Sequence, residues 1–124
     1  MKQNQRSNNK KSWDDIADAN RRFYDEIAPV YEMVDTRRGQ NKHQWIDPLL
    51  RKLKELCSTD SKELTFLDAG SGSGFLSVKA STHFENLVLV DISKAMIERI
   101  DLPKSKKIVA DCSNIPLEKN INFS

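Results

Sequence analysis

Two kinds of hydrophobic pattern divide the chain. Up to about residue 57 apolar positions recur at helical spacing, and from residue 64 onward they fall in short continuous runs. Trp13, Ile16, Phe23 and Ile27 mark a first helix. Ser12, with Asp15 three residues on, supplies its start, an acid standing where a capping box carries Glu or Gln. Ala28-Pro29 is expected to interrupt or end this helix, because proline lacks the N–H and restricts the residue before it. Tyr31 and Met33 follow, then a polar turn through Arg37-Arg38-Gly39. A second helix places Trp45, Ile46, Leu49, Leu50, Leu53, Leu56 and Cys57 on one face. Its expected start has Asp47 as cap and Pro48 in the first helical position, and Ser58-Thr59-Asp60-Ser61 closes it.

The second pattern reads as alternating strands and helices. Leu64 to Asp68 is a short strand, Phe75 to Ala80 a helix, and Leu87 to Asp91 a strand of unbroken apolar character, as buried parallel strands are. Ser93 can cap a further helix with Ala95, Met96, Ile97 and Ile100 inward and Pro103 terminating it. Lys107 to Asp111 is a third strand, with Lys104, Lys106 and Lys107 expected in a solvated connecting turn. Two successive βαβ units demand a parallel sheet, so the expected class is α/β: three strands preceded by two helices.

Composition narrows the partners. Hydrophobic residues make up 38% and charged residues 31% of the 124 residues, values that suit a soluble globular protein of one domain at most. The net charge is only +2. Lys2, Arg6, Lys10 and Lys11 place that excess in residues 1–12, read as a polar tail, and leave the remainder slightly acidic. No aromatic residue interleaves these cations, which argues against a nucleic-acid-binding arm. No apolar stretch resembles a secretory signal or spans a bilayer, so a cytoplasmic location is expected, with no membrane partner. Cys57 and Cys112 lack the pairing or histidine neighbours of a metal site and read as reduced thiols.

The chemistry concentrates in one loop. Three of the four glycines lie in Asp68-Ala69-Gly70-Ser71-Gly72-Ser73-Gly74, between the first strand and its helix. Glycine lets a ligand approach the backbone, and the strand ends of an open α/β sheet are where ligands bind. Asp91 closes the next strand 23 residues after Asp68. In nucleotide-binding βαβ units an acid about 20 residues on accepts from ribose hydroxyls; alternatively Asp91 only starts the next turn. The dinucleotide fingerprint G-x-G-x-x-G fails from either Gly70 or Gly72, since positions 75 and 77 are Phe and Ser. A phosphate-binding P-loop fails as well, because Phe75-Leu76 follows Gly74.

Asp68 to Gly74 resembles the D-x-G-x-G-x-G signature of class I S-adenosylmethionine-dependent methyltransferases. Leu89 to Ile97 is similar to that family's second block, and Val109-Ala110-Asp111-Cys112-Ser113-Asn114-Ile115-Pro116 to its third. Phe23 to Glu32 is similar to the leader helix of many small-molecule methyltransferases. The resemblance spans residues 13–117. It implies a Rossmann-like domain, S-adenosylmethionine as cofactor and a small-molecule methyl acceptor. It implies that Gly70, Gly72 and Gly74 back the methionine part, with Asp68 near its ammonium. Asp91 would hold the ribose diol, Ile92 and Met96 would pack near the adenine, and Asp111 would accept from its amino group beside the Cys112 backbone. For Asp111-Cys112 an ordinary strand end is the competing reading. Tyr24 and Tyr31 either cover the cofactor or anchor a helix.

The family's sheet has seven strands, and residues 13–124 supply three, the first half of the doubly wound domain. The family's reactive residues lie mainly on later segments, so no catalytic residue carries over; His43 and His83 qualify by residue type alone. The alternative to an enzyme is a truncated, inactive fragment that binds cofactor or a partner. The unpartnered side of the first strand is expected to be open and apolar.

Overall fold

The computed structural model describes residues 12–37, 44–57 and 64–117. The elements run α1 (Trp13–Arg37), α2 (Ile46–Leu56), β1 (Thr65–Ala69), α3 (Phe75–Ala80), β2 (Asn86–Asp91), α4 (Lys94–Glu98) and β3 (Lys106–Val109). The three strands form one parallel sheet in the order β1-β2-β3. Leu67 lies opposite Val88 in the first pairing and Val90 opposite Ile108 in the second.

Local chemistry explains most of the element ends. At the head of α1 the Ser12 hydroxyl accepts from the Asp15 N–H at 3.2 Å, and the Ser12 N–H donates to the Asp15 carboxylate at 3.2 Å. This reciprocal pair satisfies donors that a helix start leaves open. Ser93 caps α4 as expected, its hydroxyl accepting from the Met96 N–H at 3.2 Å. One face of β2 and β1 meets the helices in a core of Ile46, Leu50, Ala80, Phe84, Leu87, Leu89, Ile97 and Ile100, with Phe66 and Leu102 packed against it.

Several boundaries differ from the sequence reading. Proline does not end α1, which continues through Pro29 to Arg37. The missing N–H leaves the Asp25 carbonyl without its usual helical donor. Tertiary contact offsets this: Ala28 is 2% exposed, and Asp25 is bonded to α4. Asp47 is not the cap of α2; Trp45 holds that position, without a side-chain bond, and Pro48 is the third helical residue. Asp47 instead accepts from Lys79 Nζ and pairs with His83 Nε2, both at 3.3 Å, tying α2 to the end of α3. Of the apolar face read on α2, only Ile46 and Leu50 are buried. Helix α4 ends at Glu98, well before Pro103, in two tight turns closed by Arg99 and Ile100. Lys106 and Lys107 belong to β3 rather than to a turn, and the Lys107 ammonium donates to the Ile100 carbonyl. Residues 1–11 of the tail read at 1–12, Arg38-Gly39 of the polar turn and the helix end at 58–61 lie outside the described residues, as does His43.

Candidate functional site

The loop between β1 and α3 folds back over the carboxyl end of β2. The Val90 carbonyl accepts from both the Gly70 N–H at 2.7 Å and the Ser71 N–H at 2.9 Å. The next donor, the Gly72 N–H, reaches the Asp91 carboxylate at 2.8 Å, while the other carboxylate oxygen accepts from the Ser93 N–H at 2.9 Å. Asp91 is 8% exposed, so these two bonds fix a nearly buried carboxylate between the loop and the start of α4. Each oxygen retains acceptor capacity, since an ionised carboxylate offers about four lone-pair sites.

The remaining loop residues divide by role. At Gly70 (φ +84°) an added methyl would meet open space, whereas at Gly74 (φ +82°) it would lie 2.7 Å from two carbons of Ile100. Gly70 therefore leaves room at the cavity wall, and Gly74 lets α3 pack against α4's end. Asp68 is buried and accepts from the Ser77 hydroxyl at 2.5 Å. The buried Ser71 hydroxyl has no hydrogen-bond partner among the described residues.

A cavity of about 810 Å³ opens above these strand ends. Gly70, Gly72, Asp91, Ile92, Met96, Asp111, Cys112 and Ser113 form one wall, and Trp13, Ile16, Ala17, Asn20, Tyr24 and Tyr31 of α1 form the other. Seven of the nine residues singled out in the sequence thus converge; Asp68 and Gly74 stand behind the wall. Tyr24 and Tyr31 line the cavity, their rings edge to face with centroids 6.4 Å apart. The sequence reading missed Trp13, Ile16, Ala17 and Asn20 as site residues. Their separation by three and four positions, continuing to Tyr24, already puts them on one helix face.

The cavity is electronegative. Among the described residues no Lys, Arg or His lines it, while Asp91 and Asp111 do. The Asp111 side chain accepts from the Ser113 N–H at 3.1 Å, shaping the turn after β3. Burial first, and then the carboxylates of Asp91, Asp111 and Asp68, push the Cys112 thiol up from its ordinary value. A thiol held protonated in this way is a poor nucleophile. No group of three or more potential metal ligands occurs among the described residues, and no described helix is long and apolar enough to cross a membrane. His83 lies away from the cavity, against Asp47.

Comparison with known proteins bears on this geometry. Residues 67–123, which hold the glycine loop and both strand-end acids, match the methyltransferase domain family. A solved structure of a geranyl diphosphate methyltransferase in complex with GPP and sinefungin has the same fold, with a TM-score of 0.56 at 18% identity. The likeness covers 83% of this chain and 51% of that one, so the chain spans about half the length of the protein it resembles. No curated protein matches the sequence. The family match falls on the segment that builds one wall of the cavity, and the fold likeness takes in most of the remainder: residues 67–123 match a methyltransferase domain, in a chain that has the fold of a methyltransferase.

Proposed function

We propose that the cavity binds S-adenosylmethionine and that the protein to which this chain contributes transfers its methyl group to a small-molecule acceptor. The observation that carries this reading is Asp91, a nearly buried carboxylate with spare acceptor capacity, set between a glycine loop and a wall without cations. A ligand with a ribose diol, an ammonium and a sulfonium, but no phosphate, suits such a site. The open space at Gly70 and the unpartnered Ser71 hydroxyl fit a ligand against the loop.

In this reading Asp91 holds the ribose hydroxyls, and Ile92 and Met96 pack beside the adenine. Asp111 accepts from the adenine amino group next to the Cys112 backbone. Gly70 and Gly72 bring the loop backbone to the methionine portion. Gly74 supports the loop from behind through its packing on Ile100. Asp68 adds negative charge near the ammonium from behind the loop, its orientation fixed by Ser77. The bound cofactor supplies an electrophilic methyl carbon. The α1 wall stands across the cavity from Asp91 and would shield that carbon from solvent, as in-line attack favours. The small-molecule acceptor is supported by the mostly apolar, aromatic α1 wall and by the fold neighbour, whose complex holds GPP and sinefungin, an S-adenosylmethionine analogue.

Calorimetry with S-adenosylhomocysteine and with NAD tests the reading. The expected result is binding of the first and not the second. Asp91→Ala is expected to weaken that binding at least tenfold, about 1.4 kcal/mol. Asp91→Asn is expected to fail as a rescue, because both carboxylate oxygens accept backbone N–H groups and an amide must turn its NH₂ against one of them. Tight NAD binding with no response to S-adenosylhomocysteine overturns the cofactor assignment. Unchanged affinity in Asp91→Ala removes Asp91 from the site.

A further inference from the structure

Among the described residues, little of the apolar surface of α1 is buried. Trp13 is 84% exposed, Phe23 and Met33 are exposed, and Ala28 is the one fully buried side chain of α1 among the described residues. Alanine contributes a single methyl to burial. What α1 does have is a polar anchor at its middle. One carboxylate oxygen of Asp25 accepts from the Ser93 hydroxyl at 2.5 Å and from the Ala95 N–H at 3.3 Å. Ser93 is fully buried, and its own N–H is the group that orients Asp91. The chain of contacts therefore runs from α1 through Asp25 and Ser93 to Asp91.

We infer that Asp25 is a positioning residue for cofactor binding: it latches α1 onto the start of α4 so that Trp13, Asn20, Tyr24 and Tyr31 close the cavity opposite Asp91. This rests on the reading of the cavity as the cofactor site. The arrangement suits the purpose on physical grounds. A charge-assisted bond to a buried hydroxyl is strong and directional. It fixes the helix at one point near its centre and leaves the amino-terminal turns, which line the cavity, exposed enough to yield as a ligand enters. Pro29 lies one turn after Asp25, where the helical hydrogen-bond ladder is already interrupted, so the anchor stands at the helix's weakest turn.

Two measurements on the full chain separate the latch from the cofactor assignment. Hydrogen exchange without ligand reads the latch alone. Asp25→Ala is expected to speed exchange across residues 16–30 at least tenfold while leaving the amides of β2 unchanged. Asp25→Asn, which keeps an oxygen acceptor for both donors, is expected to restore most of the protection. Calorimetry with S-adenosylhomocysteine reads the consequence: at least a tenfold loss of affinity in Asp25→Ala, largely recovered in Asp25→Asn. Trp13 supplies an independent signal in a Trp45→Phe background, where its emission is expected to respond to S-adenosylhomocysteine and to lose that response in Asp25→Ala. Unchanged exchange in α1 overturns the latch. Faster exchange with undiminished affinity overturns the positioning role. A wild-type chain that ignores S-adenosylhomocysteine sinks the cofactor reading, and the positioning role with it, while the exchange data still decide the latch. Should Asp25→Ala not fold, the comparison of wild type with Asp25→Asn keeps the test: equal loss of structure in both variants counts against a role in positioning.

Discussion

Gly70 and Gly74 stand four residues apart in one loop, share a left-handed backbone, and serve different ends. Alanine at either position carries roughly 1–2 kcal/mol of backbone strain. At Gly70 nothing else opposes the methyl group. Gly70→Ala is therefore expected to lower stability by no more than that strain, while the methyl intrudes on the cavity and weakens S-adenosylhomocysteine binding at least tenfold. At Gly74 the methyl meets Ile100, a core side chain 3% exposed with nowhere to move. Overpacking adds roughly 1–3 kcal/mol, so Gly74→Ala is expected to be the markedly less stable variant in urea melts. The sequence shows three glycines in one loop at a strand end, but it cannot show which of them faces the cavity. That depends on Ile100, brought to the loop only by the turn after α4. The same holds for Asp68, whose place behind the wall follows from its bond to Ser77 on α3. Asp91 was legible because its position rests on local facts alone: the end of an apolar strand, and a capping serine two residues on.

At the scale of elements, the strands and the helices between them were legible because each is bounded by glycine, a capping serine or an acid close in sequence. The two leading helices were less so. Proline at position 29 breaks a helix by local rules, yet α1 runs on with Ala28 buried and Asp25 bonded to Ser93 and Ala95, 68 and 70 residues later. Asp47 looked like a cap and serves as a cross-link between α2 and α3. Bonds from His83 first, and then from Lys79, lower the Asp47 carboxyl below its ordinary value of 3.8. A carboxyl lowered in the folded state adds stability that is fully present above the unfolded value and is lost as pH falls through the folded one. Hydrogen exchange of α2 is thus expected to quicken below about pH 4, and Asp47→Asn to remove that step and loosen α2 equally at neutral pH. The effect is expected to be small, because the carboxylate is open to solvent and exposed pairs contribute little. An acid step that survives Asp47→Asn would assign the loosening to other carboxylates.

The whole molecule is a small parallel sheet with β1 at one side. Parallel strands are ordinarily covered on both faces and flanked by neighbours, because an unpaired strand edge is a template for another chain. Here β1 pairs with β2 alone among the described residues. Several apolar side chains of β1, α3 and α2 are exposed: Leu67 on β1 is 42% exposed, and Val78 on α3 and Leu49 and Leu56 on α2 are exposed as well. The cavity, by contrast, sits at the strand ends between α1 and the loops, and Leu67 takes no part in it. Stickiness and ligand binding are therefore separable by one substitution. Natural sheets blunt an edge with lysine, and Leu67→Lys puts a charge on this one while giving up a side chain that is only partly buried. Sedimentation velocity is expected to show wild-type self-association rising with protein concentration, and an association constant at least several-fold weaker in Leu67→Lys. Affinity for S-adenosylhomocysteine is expected to stay within twofold, because Leu67 does not line the cavity and makes neither of the bonds that Gly72 and Ser93 donate to Asp91. Loss of both properties together would mean that the strand edge and the cavity are coupled through β1, and that the loop's geometry depends on what covers this side of the sheet.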